Sequence, residues 1–327
     1  MKKNIAIIMG GYSSEVEISL KSGEVAYKNI SKDIYNTYKI HILKNKWVMV
    51  DDSDEEYPIN KHDFSAEINE TKITFDCVFN AIHGNPGENG TILAYFDLIG
   101  LKHTSAPFYQ MALTFNKRDC LSVVKQYGIK TATSFYLDKG DEINVEKIIN
   151  KVGLPCFVKP NNAGSSFGIS KVKSEAAIIP AIEKAFKEDT QILIEAFLDG
   201  SEITIGVLNF NDKIKVLPMT EIVTENDFFD YEAKYLGQSE EITPARISDE
   251  THKKLEKVAK KIYTILNMSG FTRSEYILVN NEPYFLEMNT VPGLTNESII
   301  PQQAAEAGIS LQELFHNAIK MALKNKL

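Results

Sequence analysis

Thiol chemistry has little to work with in this sequence. Only three cysteines occur, Cys77, Cys120 and Cys156; they are odd in number, far apart and without a CxxC spacing. They read as reduced thiols and exclude a disulfide framework. The six histidines form neither an HExxH nor a finger spacing, so zinc has little support. Positive charge is in deficit, with 36 Lys and Arg against 44 Asp and Glu and a net charge of -8. That balance argues against a partner bound along a nucleic-acid backbone. Long hydrophobic runs are missing as well. The apolar stretch Ile5–Met9 follows Lys2 and Lys3 but stops at Gly10-Gly11, too short for an export core or a membrane span. The expected address is cytoplasmic. Neither GxxxxGK[ST] nor GxGxxG is present, which removes the P-loop and the dinucleotide fingerprint. There are no internal repeats and no low-complexity tract.

What remains is a chain of ordinary globular composition, 43% hydrophobic and 24% charged over 327 residues, enough for two or three domains. Asn4–Met9 predicts a buried strand that feeds a glycine loop and a helix. Strand patterns follow at Tyr35–Leu43, Trp47–Val50 and Ile73–Ile82, and Gly90–Gly100 reads as a helix. Strands alternating with helices predict an open α/β sheet, which binds ligands beyond the carboxyl ends of its strands. Glu15 and His83 both fall there. Residues 51–72, with the charge run Asp51–Glu56, read as a solvated loop. A second unit begins near Ser105, with a helix at Asn116–Tyr127, strands at Thr133–Leu137 and Cys156–Lys159, and a helix at Ser174–Lys187. A third begins near Gln191, with strands at Gln191–Phe197, Glu202–Phe210 and Lys213–Val223. The polar stretch Thr224–Ala245 reads as a lid or an insert. A helix at Ser248–Leu266 and a hairpin at Gly270–Thr290 follow. The expected domains are 1–104, 105–190 and 191–327.

The hairpin is the most informative segment. Alternation puts Arg273, Glu275, Ile277 and Val279 on one strand face and, on the return strand, Phe285, Glu287 and Asn289 on one face. A three-residue turn, Asn280-Asn281-Glu282, brings Glu275 opposite Glu287 and Arg273 opposite Asn289; a two-residue turn would flip the register. Two facing carboxylates repel unless something positive lies between them. With the Asn289 amide they make a set of hard oxygens suited to Mg²⁺. Spacing alone leaves this evenly balanced against an ordinary solvent-facing strand. The turn Asn289-Thr290-Val291-Pro292-Gly293 adds backbone N–H groups able to stabilise an oxyanion.

Other segments suit phosphate. Lys159 ends a strand and precedes the small-residue loop Pro160–Gly168, whose N–H groups can close on phosphate oxygens. A flexible turn is the commoner reading of such a loop alone. Lys117 starts a helix, where a surface lysine is the commoner case. His83 stands before a glycine-rich turn that lets a ligand approach. Asp230–Tyr235 reads as a mobile loop or as a lid that brings Lys234 onto a phosphate.

Together the pieces resemble one family over essentially the whole chain, the D-alanine–D-alanine ligases of the ATP-grasp superfamily. The motifs are GGYSSEVEIS (10–19), HGNPGENGT (83–91), NKRD (116–119), VKPNNAGSSFGI (158–169), DYEAKY (230–235) and LEMNTVPGLTNESIIPQ (286–302), in that order. The resemblance implies an α/β and α+β architecture, an N-terminal open parallel α/β sheet followed by a two-lobed ATP-grasp fold. It implies ligation of two D-alanines through an acyl phosphate, with ATP as cosubstrate and two Mg²⁺, or Mn²⁺, per site. It also implies a homodimer that makes cell-wall precursors. By the same resemblance Glu15 holds the first substrate's ammonium, and His83 lies near its carboxylate. Ser165 and Tyr235 link to Glu15. Lys117, Lys159, Ser165, Ser166 and Lys234 attend the phosphates. Glu195, Ala196, Phe197 and Leu198 face the adenine, and Glu202 takes the ribose. Glu275, Glu287 and Asn289 hold the metals. Arg273 and the Gly293 N–H stabilise the reacting carbonyl, and Ser298 with the Ile299 N–H binds the second carboxylate.

Four positions depart from the family pattern. Glu275 stands for the usual Asp, Asn89 turns GEDG into GENG, Ala196 replaces a frequent Lys, and Glu297 adjoins the second carboxylate site. Rival readings are a depsipeptide- or D-serine-forming relative, a different ATP-grasp carboxylate–amine ligase, and a non-catalytic ATP sensor. Tyr235 favours the dipeptide by resemblance, Glu15 favours an amino-acid substrate, and Arg273 with Lys234 favours transfer chemistry over sensing.

Overall fold

The computed structural model describes residues 1–162, 164, 167–224 and 239–324. The chain opens with strand β1 (Lys3–Gly11), buried from Ile5 onward. Its two faces feed two cores. Ala6 and Ile8 pack with Ile40, Phe64 and Val78. Ile5, Ile7 and Met9 pack with Phe79, Phe315 and Ile319. Burial on both faces is what a central parallel strand requires. Helix α1 (Val16–Asn29) returns the chain to β2 (Tyr35–Leu43), parallel to β1. β3 (Trp47–Val50) and β4 (Glu56–Pro58) extend that edge antiparallel. β5 (Ala66–Ile68) and β6 (Thr71–Ile73) form a separate hairpin. β7 (Cys77–Asn80), α2 (Thr91–Leu98) and β8 (Lys102–His103) complete the first sheet, in the order β4-β3-β2-β1-β7-β8.

Two expectations are corrected in this region. Residues 51–72 are not one solvated loop but carry β4, β5 and the start of β6. The charges of Asp51–Glu56 mask the anchors Ile59, Phe64 and Ala66, all buried. The single strand Ile73–Ile82 is split, because Asp76 turns its carboxylate onto the Asn4 N–H (2.8 Å) and the Lys3 ammonium (2.7 Å). Only β7 enters the parallel sheet.

Helices α3 (Phe108–Phe115) and α4 (Lys117–Gln126) lead into the central lobe. The Asn116 side chain caps α4 by accepting the Asp119 N–H at 3.0 Å. β9 (Ser134–Asp138), α5 (Val145–Val152), β10 (Cys156–Pro160), β11 (Ser170–Val172), α6 (Ile178–Ala185) and β12 (Gln191–Ala196) follow. Their strands form an antiparallel sheet in the order β11-β10-β12-β9. Because β12 pairs with both β10 and β9, this sheet ends after Ala196 and not at 190. The helix expected from Ser174 begins as a 3₁₀ turn, and α6 starts at Ile178 with Pro180 in its first turn, where a missing N–H is tolerated.

The third sheet contains β13 (Ser201–Phe210), β14 (Lys213–Val216), β15 (Thr220–Thr224), β16 (Ser239–Ile242), and, after α7 (Asp249–Ile265), β17 (Phe271–Val279) and β18 (Glu282–Asn289). Its order is β16-β15-β13-β17-β18, with β14 beside the far part of β13. The expected strand Lys213–Val223 is broken between β14 and β15, where Leu217 and Met219 turn inward to burial. Helices α8 (Ile299–Glu306) and α9 (Leu311–Lys324) end the described chain; α9 closes the core beneath β1.

The hairpin reaches the expected end register by an unexpected route. The turn has two central residues, Asn280 and Asn281, at φ +50° and +61°, and Val279 pairs with Glu282. Asparagine tolerates this left-handed backbone, as a tight hairpin turn requires. Such a turn should misplace the carboxylates. A bulge between Glu275 and Tyr276 inserts Leu286 and restores the alignment, so Glu275 faces Glu287 and Arg273 faces Asn289. Phe285 therefore does not share the face of Glu287; it is buried against Tyr276.

Candidate active site

Two clefts meet on the face of β17 and β18. The first, about 430 Å³, lies between the central sheet and the third sheet. Lys159, Glu195, Ala196, Phe197 and Leu198 line it from the central lobe, and Glu202, Glu275 and Glu287 from the third sheet. Lys159 reaches it because β10 ends there. Its ammonium meets the Glu195 carboxylate at 2.8 Å, with both side chains largely buried. Burial alone would lower the Lys159 pKa; the charges of Glu195, Glu287 and Glu202 outweigh it and hold the ammonium above its ordinary range. Glu195 thus spends its side chain on Lys159, and it is Ala196, Phe197 and Leu198 that follow it along the cleft wall.

Lys117 is no solvated surface lysine. It sits in the first turn of α4, only 11% of its side chain is exposed, and its ammonium lies 3.1 Å from Glu287. The Lys117 N–H donates to the Asn161 carbonyl (3.3 Å), and the Arg118 N–H to the Asn161 side chain (2.8 Å). The start of α4 is therefore stitched to the strand end that carries Lys159.

At the junction, the Arg273 guanidinium donates to Glu275 at 2.7 Å and the Asn289 amide to the same oxygen at 3.1 Å. Positive groups thus offset the repulsion that two facing carboxylates would otherwise suffer. Hard oxygens on two acids, with cationic side chains already drawn to them, fit a hard divalent cation. Among the described residues no group of three or more His, Cys, Asp or Glu gathers as a metal site, so protein ligands would be confined to two carboxylates and an amide. Mg²⁺ commonly completes such a shell with water and phosphate oxygens.

The second cleft, about 360 Å³, is lined by Glu15, His83, Glu88, Arg273, Gly293 and Ser298, among others. Glu15 is buried at the start of α1. Its carboxylate is sandwiched by glycines: a Cβ on Gly84 would stand 3.1 Å from it, and one on Gly164 2.8 Å. Gly164 belongs to the central-lobe loop, so the small-residue loop does reach Glu15. His83 is buried and its Nε2 lies 3.1 Å from the Ser22 hydroxyl. Burial, aided by Arg273, pushes its pKa down against the pull of Glu15, so the imidazole is neutral. The Ser22 hydroxyl also accepts the Leu294 N–H at 3.3 Å, linking His83 to the turn that carries Gly293. A Cβ on Gly293 would come within 2.6 Å of the Ser298 hydroxyl, so a larger residue there would have to displace it. Ser298 precedes α8, whose first residue is Ile299.

Ser165, Ser166, Lys234 and Tyr235 lie outside the described residues. Sequence reasoning missed two acids. Glu88 is buried, accepting N–H groups from Gly84 (3.2 Å), Thr290 (3.0 Å) and Val291 (3.4 Å). Burial, then the charge of Glu15, pushes its carboxyl up to about 7. It is the only acid in the turn His83–Gly90, a signal that was available. Glu241, hidden in the polar stretch before Ala245, lines the second cleft and accepts from Gln302 at 3.0 Å. Burial raises its pKa against Gln302 and Arg273.

The matches to known proteins agree with this geometry. Residues 4–106 match the model of the D-ala D-ala ligase N-terminus, and 123–320 that of the D-ala D-ala ligase C-terminus. A D-alanine–D-alanine ligase of Flavobacterium johnsoniae is 66% identical over 98% of this chain and 99% of its own. One from Christiangramia forsetii is 56% identical over 100% of both. Among solved structures, the D-Ala:D-Ser ligase VanG of Enterococcus faecalis superposes with a TM-score of 0.86 at 30% identity, covering 98% of this chain and 100% of its own. A D-alanine–D-alanine ligase of Bacillus anthracis complexed with ATP superposes with a TM-score of 0.79 at 25% identity, over 98% of both. The two family models in sequence, the near-identical length of the relatives and the paired clefts lead to one conclusion: the chain belongs to the D-alanine–D-alanine ligase family and has its ATP-grasp fold.

Proposed function

We propose that this protein joins two D-alanines into D-alanyl-D-alanine, converting ATP to ADP and phosphate, as a step in peptidoglycan precursor synthesis. The observation that carries the reading is the meeting of two clefts, one lined by Lys159 and the Ala196–Leu198 segment and the other by Glu15 and His83, at Glu275, Glu287, Asn289 and Arg273. The curated relatives named for this reaction match the whole chain.

In this reading ATP lies in the first cleft. Its adenine runs along Ala196, Phe197 and Leu198, its ribose reaches Glu202, and its phosphates reach Lys159 and Lys117. Ser165, Ser166 and Lys234 are proposed to complete the phosphate contacts. Glu275, Glu287 and Asn289 would hold Mg²⁺, or Mn²⁺, which when bound neutralises phosphate charge during transfer. Glu15 receives the ammonium of the first D-alanine, and neutral His83 offers its carboxylate a hydrogen bond without adding charge. We assign Ser165 and Tyr235 to the support of Glu15.

The carboxylate oxygen attacks the γ-phosphorus and ADP leaves, which turns a poor acyl donor into one with a leaving group. The amine of the second D-alanine, anchored by its carboxylate at Ser298 and the Ile299 N–H, attacks the acyl carbon. The amine loses a proton, and the tetrahedral centre expels phosphate as the amide forms. Arg273 and the Gly293 N–H stabilise the oxyanion that builds up at that centre. The three parts divide the labour. The first sheet with its loops offers the amino-acid site, the central lobe covers the nucleotide, and the third sheet supplies the metal and transfer groups. We further propose a cytoplasmic homodimer, on family likeness. Among the described residues no helix is long and apolar enough to cross a membrane.

The test is phosphate release by purified protein with Mg-ATP and D-alanine, using L-alanine, D-serine and D-lactate as alternatives. D-alanine should support turnover and L-alanine should not. No D-alanine-dependent release with any of several divalent metals would overturn the reading. Preferred use of D-serine as the second substrate would place the chain with its D-Ala:D-Ser neighbour instead.

A further inference from the structure

Helix α8 begins beside the second cleft, with Ser298 at its N-cap and Ile299 as its first residue. Gln303 lies further along the helix, fully buried and outside both clefts. β13 loses its strand neighbour where β14 gives way to β15. The Gln303 side chain enters that gap. Its Oε1 accepts the Gly206 N–H at 2.9 Å, and its Nε2 donates to the Thr204 carbonyl and the Thr220 hydroxyl, each at 3.0 Å. An amide that accepts from one strand N–H and donates to the nearby C=O does the work of a ladder peptide. The approach depends on Gly206, since a Cβ there would stand 2.6 Å from the Gln303 oxygen. Gly206 is also the cross-strand partner of Arg273. One strand position thus meets the helix through Gln303 and neighbours the guanidinium across the ladder. Around it α8 also meets the sheet through Ile300 beside Gly206, through Ile299 against Ile222, and through Gln302, whose amide donates to Glu241 on β16 at 3.0 Å; Gln303 is the tie that reaches β13, the strand paired with Arg273.

We propose that Gln303 is a positioning residue for the second amino-acid subsite. Its amide locks the start of α8, and with it Ser298 and the Ile299 N–H, at a set offset from Arg273 and Gly293. This rests on the reading of Ser298 and Ile299 as the receivers of the second substrate's carboxylate.

The experiment is steady-state kinetics of phosphate release, resolving the KM values for ATP, the first D-alanine and the second. Gln303→Leu keeps the bulk and removes the hydrogen bonds. It should raise the KM for the second D-alanine about tenfold and leave the other two within about twofold. Thr220→Val removes one acceptor of Gln303, together with the 2.6 Å contact to the Thr243 hydroxyl, with little change in shape, and should move the same constant about threefold in the same direction. A purely structural role would instead lower thermal stability and shift all three constants together, or none. Either pattern in folded variants overturns the proposal. Should Gln303→Leu not fold, Thr220→Val decides alone. An unsubstituted enzyme that releases no phosphate with D-alanine would refute the reaction itself, a result distinct from active variants with unchanged constants.

Discussion

At the scale of single residues, the site is a set of charges that compensate one another. Glu287 holds Lys117 at 3.1 Å and Glu275 holds Arg273 at 2.7 Å, so the two acids do not face each other uncompensated. If Glu287 serves a catalytic cation, Glu287→Gln should lower kcat roughly 10²-fold or more while ATP binding changes far less. Rapid-quench turnover and nucleotide titration separate the two; unchanged turnover would refute the role. Positions set by near neighbours were readable from the chain alone, Lys159 at a strand end before its small-residue loop and Glu15 beyond the first strand, whereas Ser298 entered only through the family motif. Glu88, the only acid in its turn, was visible as a candidate, but what it joins was not, because its partner Thr290 is 202 positions away. Gln303 was not, because the gap it fills belongs to strands nearly a hundred positions earlier. Lys117 was readable only through family motif; its burial against Glu287 is a fact of tertiary packing.

At the scale of elements, the hairpin β17–β18 shows how a correct end can follow from a wrong step. Alternation and an assumed three-residue turn placed Glu275 opposite Glu287. The actual turn is a residue shorter, and a bulge makes good the difference. A bulge leaves no composition signal, since Leu286 looks like any strand residue. Asn281 at φ +61° carries the turn. Asn281→Gly should leave unfolding free energy within about 0.5 kcal/mol, whereas Asn281→Val should cost about 1–2 kcal/mol. Urea melts of the two variants check this. β1, with its continuous apolar run, and β2 and β13, with apolar residues interleaved with polar ones, were visible in the chain. The strands within 51–72 were not, because surface charge outnumbers the few buried anchors.

At the scale of the whole molecule, the loop from the first sheet and the turn after β18 are joined through one buried acid. Glu88 takes N–H groups from both, at Gly84 and at Thr290 and Val291. Its carboxyl is raised from an ordinary 4.5 to about 7, burial being the main cause and Glu15 the next. The protonated form is therefore favoured in the folded state. Its contribution to stability is complete below the unfolded pKa and is lost as pH rises through about 7. Apart from a constant offset, the stability difference between wild type and Glu88→Gln should shrink by about 3 kcal/mol between pH 4.5 and 8. Unfolding curves at a series of pH values measure it, and a flat difference would contradict the assignment. The two glycines that flank Glu15 carry a last implication. Each contributes one hydrogen atom where any other residue would bring carbon, one from the loop after β7 and the other from the central-lobe loop after β10. Drift at Gly164 would nudge the acid aside without unravelling anything. With Glu15 receiving the substrate's ammonium as proposed, the lineage would then inherit a sound, nucleotide-loving protein that had quietly forgotten its amino acid.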